Sequence, residues 1–140
     1  MRPMSATPKP GPIHRWLALG LGCAFFALYV LTCAPGLFWM DSGELTSAGY
    51  GLGVAHPPGF PLYTLLGKAA TLIPIGSIAH RVVLLSALCG ALTVAAVYWL
   101  VVRLALILES SDPVAACAGV GGAAVLGVAH TFWRQATVAE

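Results

Sequence analysis

Residues 16–33 read WLALGLGCAFFALYVLTC, eighteen positions without a single charged side chain. On a helix they rise about 27 Å, close to the ~30 Å hydrocarbon core of a bilayer. Arg2, Lys9, His14 and Arg15 precede the run, scattered among four prolines, so residues 1–15 read as a basic tail without helical period. A secretory signal has the same basic start, but its apolar region is usually ~7–15 residues and ends in a small-x-small cleavage site. This run is longer and ends at Thr32-Cys33-Ala34. It is read as an uncleaved transmembrane anchor.

The rest of the 140-residue chain agrees. Hydrophobic residues make up 59% and charged residues 9%, against roughly 25% charged in a soluble domain. Too few charges remain to coat a water-facing surface, and disorder needs the opposite balance. The formal net charge is +2 with no run of Lys or Arg, so no electrostatic footprint for nucleic acid exists. Cys23, Cys33, Cys89 and Cys117 lie in or beside apolar runs without metal or redox spacing, and are expected as small packing residues.

Two further apolar runs follow. Residues 82–108 form the second expected span, interrupted only by Arg103, and residues 109–113 a compact turn with Asp112 as cap before Pro113. Residues 114–132 form the third span. Within it Gly119, Ala123 and Gly127 recur every four residues, a small-residue face suited to close helix packing in lipid. The expected fold is therefore an all-α polytopic membrane protein with three transmembrane helices. Between the first two, residues 34–81 contain Pro35, Pro57, Pro58, Pro61 and Pro74, too many for a long helix, and form a folded loop with short helical pieces. Residues 62–73 suit a helix lying in the membrane interface or re-entering the membrane. The basic tail predicts a cytoplasmic N-terminus. That puts residues 34–81, and residues 133–140 after the third span, on the extracytoplasmic side. The absence of any closing helix predicts the N-terminal piece of a larger polytopic protein.

The chemistry-bearing residues gather in the outer segments. Asp41 and Glu44, at i and i+3, face one side of a helix. They read either as a capping box or as a general base held where low dielectric raises its basicity. His56 opens His56-Pro57-Pro58-Gly59, a stiff turn that aims its ring or merely stiffens the loop. Lys68, Arg81 and Arg134 are either snorkelling cations or phosphate ligands. His130 and Trp133 read as interfacial anchors, His14 as part of the tail and His80 as a solvated loop residue. Rival readings are a transporter or flippase-like subunit, marked by buried charges and broken helices, and a non-enzymatic scaffold.

Taken in order, Trp39-Met40-Asp41-Ser42-Gly43-Glu44-Leu45, then 52–63 with His56-Pro57-Pro58-Gly59-Phe60-Pro61, then 84–88 and 132–140, resemble the N-terminal part of a multi-spanning family. That family, long catalogued as a domain of unknown function, is related to protein O-mannosyltransferases and placed among the GT-C glycosyltransferases. Phe60 stands where tyrosine is frequent. The resemblance implies an active site on the extracytoplasmic face and a sugar donor, such as mannose, on a polyprenyl phosphate. The acceptor would be a hydroxyl of protein, lipid or glycan. Asp41 matches the family's usual base, Glu44 would orient the loop or acceptor, and His56, Lys68 or Arg81 would steady the departing phosphate. Arg134 remains open as a further phosphate ligand, and Glu140 matches the last acid of the third-helix exit motif. No cofactor and, without an Asp-x-Asp pair, no obligatory metal is expected. The implied location is the plasma or inner membrane, or the endoplasmic reticulum in a eukaryote, and the piece alone is expected to be inactive.

Overall fold

A computed structural model describes residues 9–33 and 41–138. Glu140 and the segment 34–40 lie outside the described residues. Among the described residues six helices follow in order: α1 Ile13–Thr32, α2 Ser42–Gly51, α3 Pro61–Thr71, α4 Ile78–Ile107, α5 Asp112–Val128 and α6 His130–Thr137. No strand occurs among the described residues.

Helices α1 and α4 are long and apolar enough to cross a membrane. The 30 residues of α4 rise about 45 Å, half as much again as the hydrocarbon core. Its first turn is fixed by Ser77, whose hydroxyl accepts from the His80 N–H. The third expected span is not one continuous helix. Instead of one helix over 114–132, Ala129 takes an extended conformation and α5 and α6 meet at a 67° bend. The two count as one crossing only as a broken pair.

Small residues decide how the long helices meet. Gly119, Ala123 and Gly127 are buried on one face of α5, as their spacing predicted, and Ala115 joins them. A Cβ on Gly119 would come within 2.7 Å of Val102 and 2.9 Å of the Tyr98 ring, and one on Gly127 would collide with Phe25. Helices α1 and α5 therefore run antiparallel to α4, with Tyr29, Val94, Tyr98 and Val102 fully buried between them. The outward surface carries Trp16, Leu19, Leu92, Leu100 and Val125, all well exposed. That arrangement suits lipid, where exposure of apolar side chains costs nothing and close packing drives association. Cys23, Cys89 and Cys117 are exposed rather than packed in the interior, and Cys33 is half-buried.

One end of the bundle departs from the sequence reading. Helix α1 begins at Ile13, inside the expected tail, and His14 is fully buried. Its Nδ1 lies 2.7 Å from the Tyr98 hydroxyl and its Nε2 3.2 Å from Asp112 Oδ1. In the neutral tautomer with Nε2–H, the tyrosine donates to Nδ1 and the imidazole donates to the carboxylate, so both ring nitrogens and the phenol have partners. Asp112 is the first residue of α5 and makes no cap; Ser111 occupies that position. The carboxylate instead ties α5 to α1 and α4. Helices α2, α3 and α6 gather at the opposite end.

Candidate active site

The acids and the histidine meet at the α2–α3 end because the chain between these helices folds back. Leu52 adopts a left-handed conformation at the end of α2, and its N–H returns to the Ala48 carbonyl. The Gly53 N–H reaches the same oxygen at 3.0 Å. Ala55 is then buried with Leu45 and Ala48, which anchors the next residue, His56, over the first turn of α2. Beyond it the Gly59 N–H closes a turn on the His56 carbonyl at 2.8 Å. Gly59 has φ 86°, a left-handed value that costs a glycine little. Phe60 follows with its ring edge-on to the imidazole at 5.5 Å, and Pro61 opens α3. Helices α2 and α3 touch where Gly49 meets Gly67; a Cβ on Gly49 would sit 3.4 Å from the Gly67 Cα.

Glu44 grips this turn with both oxygens. The His56 N–H donates to Oε1 at 2.6 Å and His56 Nδ1 lies 3.2 Å from Oε2. The main-chain N–H first, and the ring second, hold the Glu44 carboxyl below its ordinary value. His56 Nε2 faces Asp41 Oδ2 at 3.9 Å. The capping box does not form: Asp41 occupies the N-cap position of α2 but makes no side-chain cap bond, and Glu44 is engaged by His56. The Asp41 side chain is 55% exposed. The described residues supply one carboxylate committed to a histidine and a second, solvent-accessible one beside the same ring. Asp41, Glu44 and His56 each offer one ligand atom, all within 4.8 Å of one another, so the trio could also hold a divalent cation.

Lys68 and Arg81 both have main-chain partners. Lys68 donates to the Tyr50 carbonyl at 2.6 Å and lies 5.0 Å from the centre of the Tyr50 ring. Arg81 donates to the carbonyls of Ile75, Thr71 and Gly76 at 3.1, 2.7 and 3.0 Å. Both therefore fasten helix ends and turns. Arg134 is exposed in the last turn of α6. His130 is exposed as an anchor would be, and Trp133 packs edge-on against Tyr29 at 5.4 Å. His80 is half-buried rather than solvated, its Nδ1 3.9 Å from Cys33 Sγ.

Sequence reasoning passed over Tyr63. Its ring packs on Leu45, Ala48 and Ala55, the cluster that supports the acids. Burial pushes its phenol above the ordinary value, Ser86 offsetting part of the effect. Its hydroxyl nevertheless has no partner in hydrogen-bonding geometry. The available signal was Ser86, Cys89 and Thr93, a stripe at i, i+3 and i+7 in an otherwise apolar helix.

The family model described as the N-terminal domain of protein O-mannosyl-transferase TMEM260 matches residues 41–140, which begin at the first acid of the cluster. A Mus musculus protein named protein O-mannosyl-transferase TMEM260 is 40% identical over 115 residues, covering 81% of this chain and 15% of its own length. A Dictyostelium discoideum protein of the same name is 35% identical over 74 residues, covering 51% and 9%. The chain thus spans about 15% of the longer match's length. No solved structure matches. With the match running through the acid–histidine turn, α3, the long α4 and the bent α5–α6 pair, the chain belongs to the family of the protein O-mannosyl-transferase TMEM260 N-terminal domain.

Proposed function

We propose that this chain is the N-terminal part of an integral-membrane, GT-C-type glycosyltransferase. It moves a sugar, mannose by the names of its relatives, from a polyprenyl-phosphate donor to an acceptor hydroxyl. The observation that carries the reading is the Asp41–Glu44–His56 cluster, in which one carboxylate is fixed and its neighbour remains open to solvent and substrate.

In this mechanism Asp41 accepts the proton of the acceptor hydroxyl as that oxygen attacks the anomeric carbon. The bond from that carbon to the phosphate oxygen breaks with inversion, and the polyprenyl phosphate leaves with the electron pair. Asp41 then returns its proton to solvent. Glu44 is a positioning residue: by gripping the His56 N–H and ring it fixes the turn that faces Asp41. His56, beside Asp41, is placed to donate to the leaving phosphate, whereas Lys68 and Arg81 already hold main-chain carbonyls with one and three of their N–H groups. Arg134 and Glu140 contribute to substrate binding. The α5–α6 pair counts as the third crossing, which with a cytoplasmic N-terminus sets the site on the extracytoplasmic face. There the lipid-borne donor and an acceptor hydroxyl on protein meet. No metal is needed for the proton transfer, so EDTA is expected to leave the rate unchanged.

The test is sugar transfer from polyprenyl-phosphate mannose by the full-length protein carrying Asp41→Asn. Loss of a general base lowers turnover by about 10²–10⁴; undiminished turnover removes Asp41 from the mechanism.

A further inference from the structure

The bend at Ala129 has a consequence for the surface of α4. It lays α6 across the first half of that helix, where Gly90 admits Ala136; a Cβ on Gly90 would come within 2.8 Å of the Ala136 Cβ. Between α3, α4 and α6 this leaves a cavity of about 290 Å³. Tyr63 and Phe132 give it two aromatic rings, and Ser86, Thr93 and Gln135 give it neutral polar groups.

We propose that this cavity binds a single neutral sugar ring carried on an apolar chain. The proposal goes beyond the glycosyltransferase reading: the occupant is a neutral glycoside, distinct from the donor, whose phosphate this lining does not pair. Four observations carry it. Among the described residues the lining contains no Lys, Arg, Asp or Glu, so nothing in it pairs with a phosphate, whereas hydroxyl and amide groups match the hydroxyls of a sugar. The Tyr63 hydroxyl is buried without a partner, a costly arrangement in a folded chain unless something supplies an acceptor. Leu66 and Leu85 complete an apolar wall suited to the linked chain. Finally, the volume stands at the small end of ligand sites, enough for one ring and not for a glycan. The cavity also adjoins the acids through one residue, since the Tyr63 ring that lines it rests on the cluster holding up the His56 turn.

The experiment is photo-crosslinking of the full-length protein in membranes with decyl α-mannoside carrying a diazirine near the glycosidic oxygen, followed by peptide mapping. Adducts are expected on residues 63–66, 86–93 and 132–136. Tyr63→Phe keeps the ring and its packing while removing the oxygen, and should lower adduct yield at least fivefold without lowering the unfolding temperature. Ser86→Ala, which leaves the ring untouched, should lower it as well. A sugar-free decanol probe with the same diazirine should label at least fivefold less. Equal labelling by the decanol probe, or full yield in both variants, overturns the proposal. Asp41→Asn should leave adduct yield intact. If Asp41→Asn also retains full transfer activity while labelling still depends on Tyr63, the catalytic reading falls and the sugar site stands.

Discussion

Replacing His14 with alanine tests the far end of the bundle, where a buried imidazole joins three helices. His14 is fully buried, and its two nitrogens contact Tyr98 and Asp112 at 2.7 and 3.2 Å. Truncation strands the Tyr98 hydroxyl, which is itself fully buried, at a cost of about 1–3 kcal/mol. The vacated ring leaves a void costing about 1–2 kcal/mol more, by analogy with other large-to-small core changes. The Asp112 side chain is 55% exposed and regains water, so its loss of a partner adds little. A total of about 2–5 kcal/mol is expected. Tyr98→Phe alone should cost about 1 kcal/mol, the net value of one hydrogen bond. In the His14→Ala background the same change should be neutral or stabilising, because it removes the stranded hydroxyl. The resulting coupling of about 1–2 kcal/mol is well above the ~0.6 kcal/mol average for side-chain hydrogen bonds within membranes. Reversible unfolding of the protein in detergent micelles by added SDS measures all four corners of the cycle. Additivity within about 0.3 kcal/mol would refute the argument that the imidazole and the phenol satisfy each other.

Glycines on the two sides of α5 should respond oppositely. Gly119→Val drives a side chain into Val102 and Tyr98 and should cost at least about 1–3 kcal/mol. At Gly121, where nothing lies within 4 Å, alanine should stabilise by about 0.5–1 kcal/mol; the same SDS titration reads both. The Glu44 carboxyl titrates below its ordinary 4.5 because the His56 N–H and ring favour its charged form. Its contribution to order in the α2–α3 turn is therefore complete above about pH 4.5 and is lost as pH falls through the lower folded value. Exchange protection of the His56 amide should follow that course and be weak at every pH in Glu44→Gln. Lys68→Met should speed amide exchange at the C-terminal end of α2, whose Tyr50 carbonyl it holds. A higher KM for the lipid donor with unchanged exchange would mean that Lys68 binds phosphate after all.

Two of the three apolar runs, the small-residue face of α5 and the nearness of Asp41 to Glu44 were legible in the sequence. Each depends on hydropathy or helical period within one segment, and such patterns survive whatever the rest of the chain does. Partner choice does not have that property. Glu44 could cap its own helix or reach His56, and the fold of residues 52–56, with Ala55 buried against Leu45 and Ala48, decided for His56. Lys68 and Arg81 had the chemistry of phosphate ligands, but the sequence did not show that helix ends beside them leave carbonyls within reach, to which both side chains donate.

Segment character, then, was set by the sequence alone: an all-helical, lipid-compatible chain carrying two acids and a histidine close to its first apolar run. Tertiary structure alone decided the burial of His14 between Tyr98 and Asp112, the break at Ala129 and the cavity that the break leaves beside Tyr63. No proline or charge marks that break. It lets Trp133 reach Tyr29 and Ala136 reach Gly90, contacts between residues forty or more positions apart, and no local pattern encodes a contact made across helices.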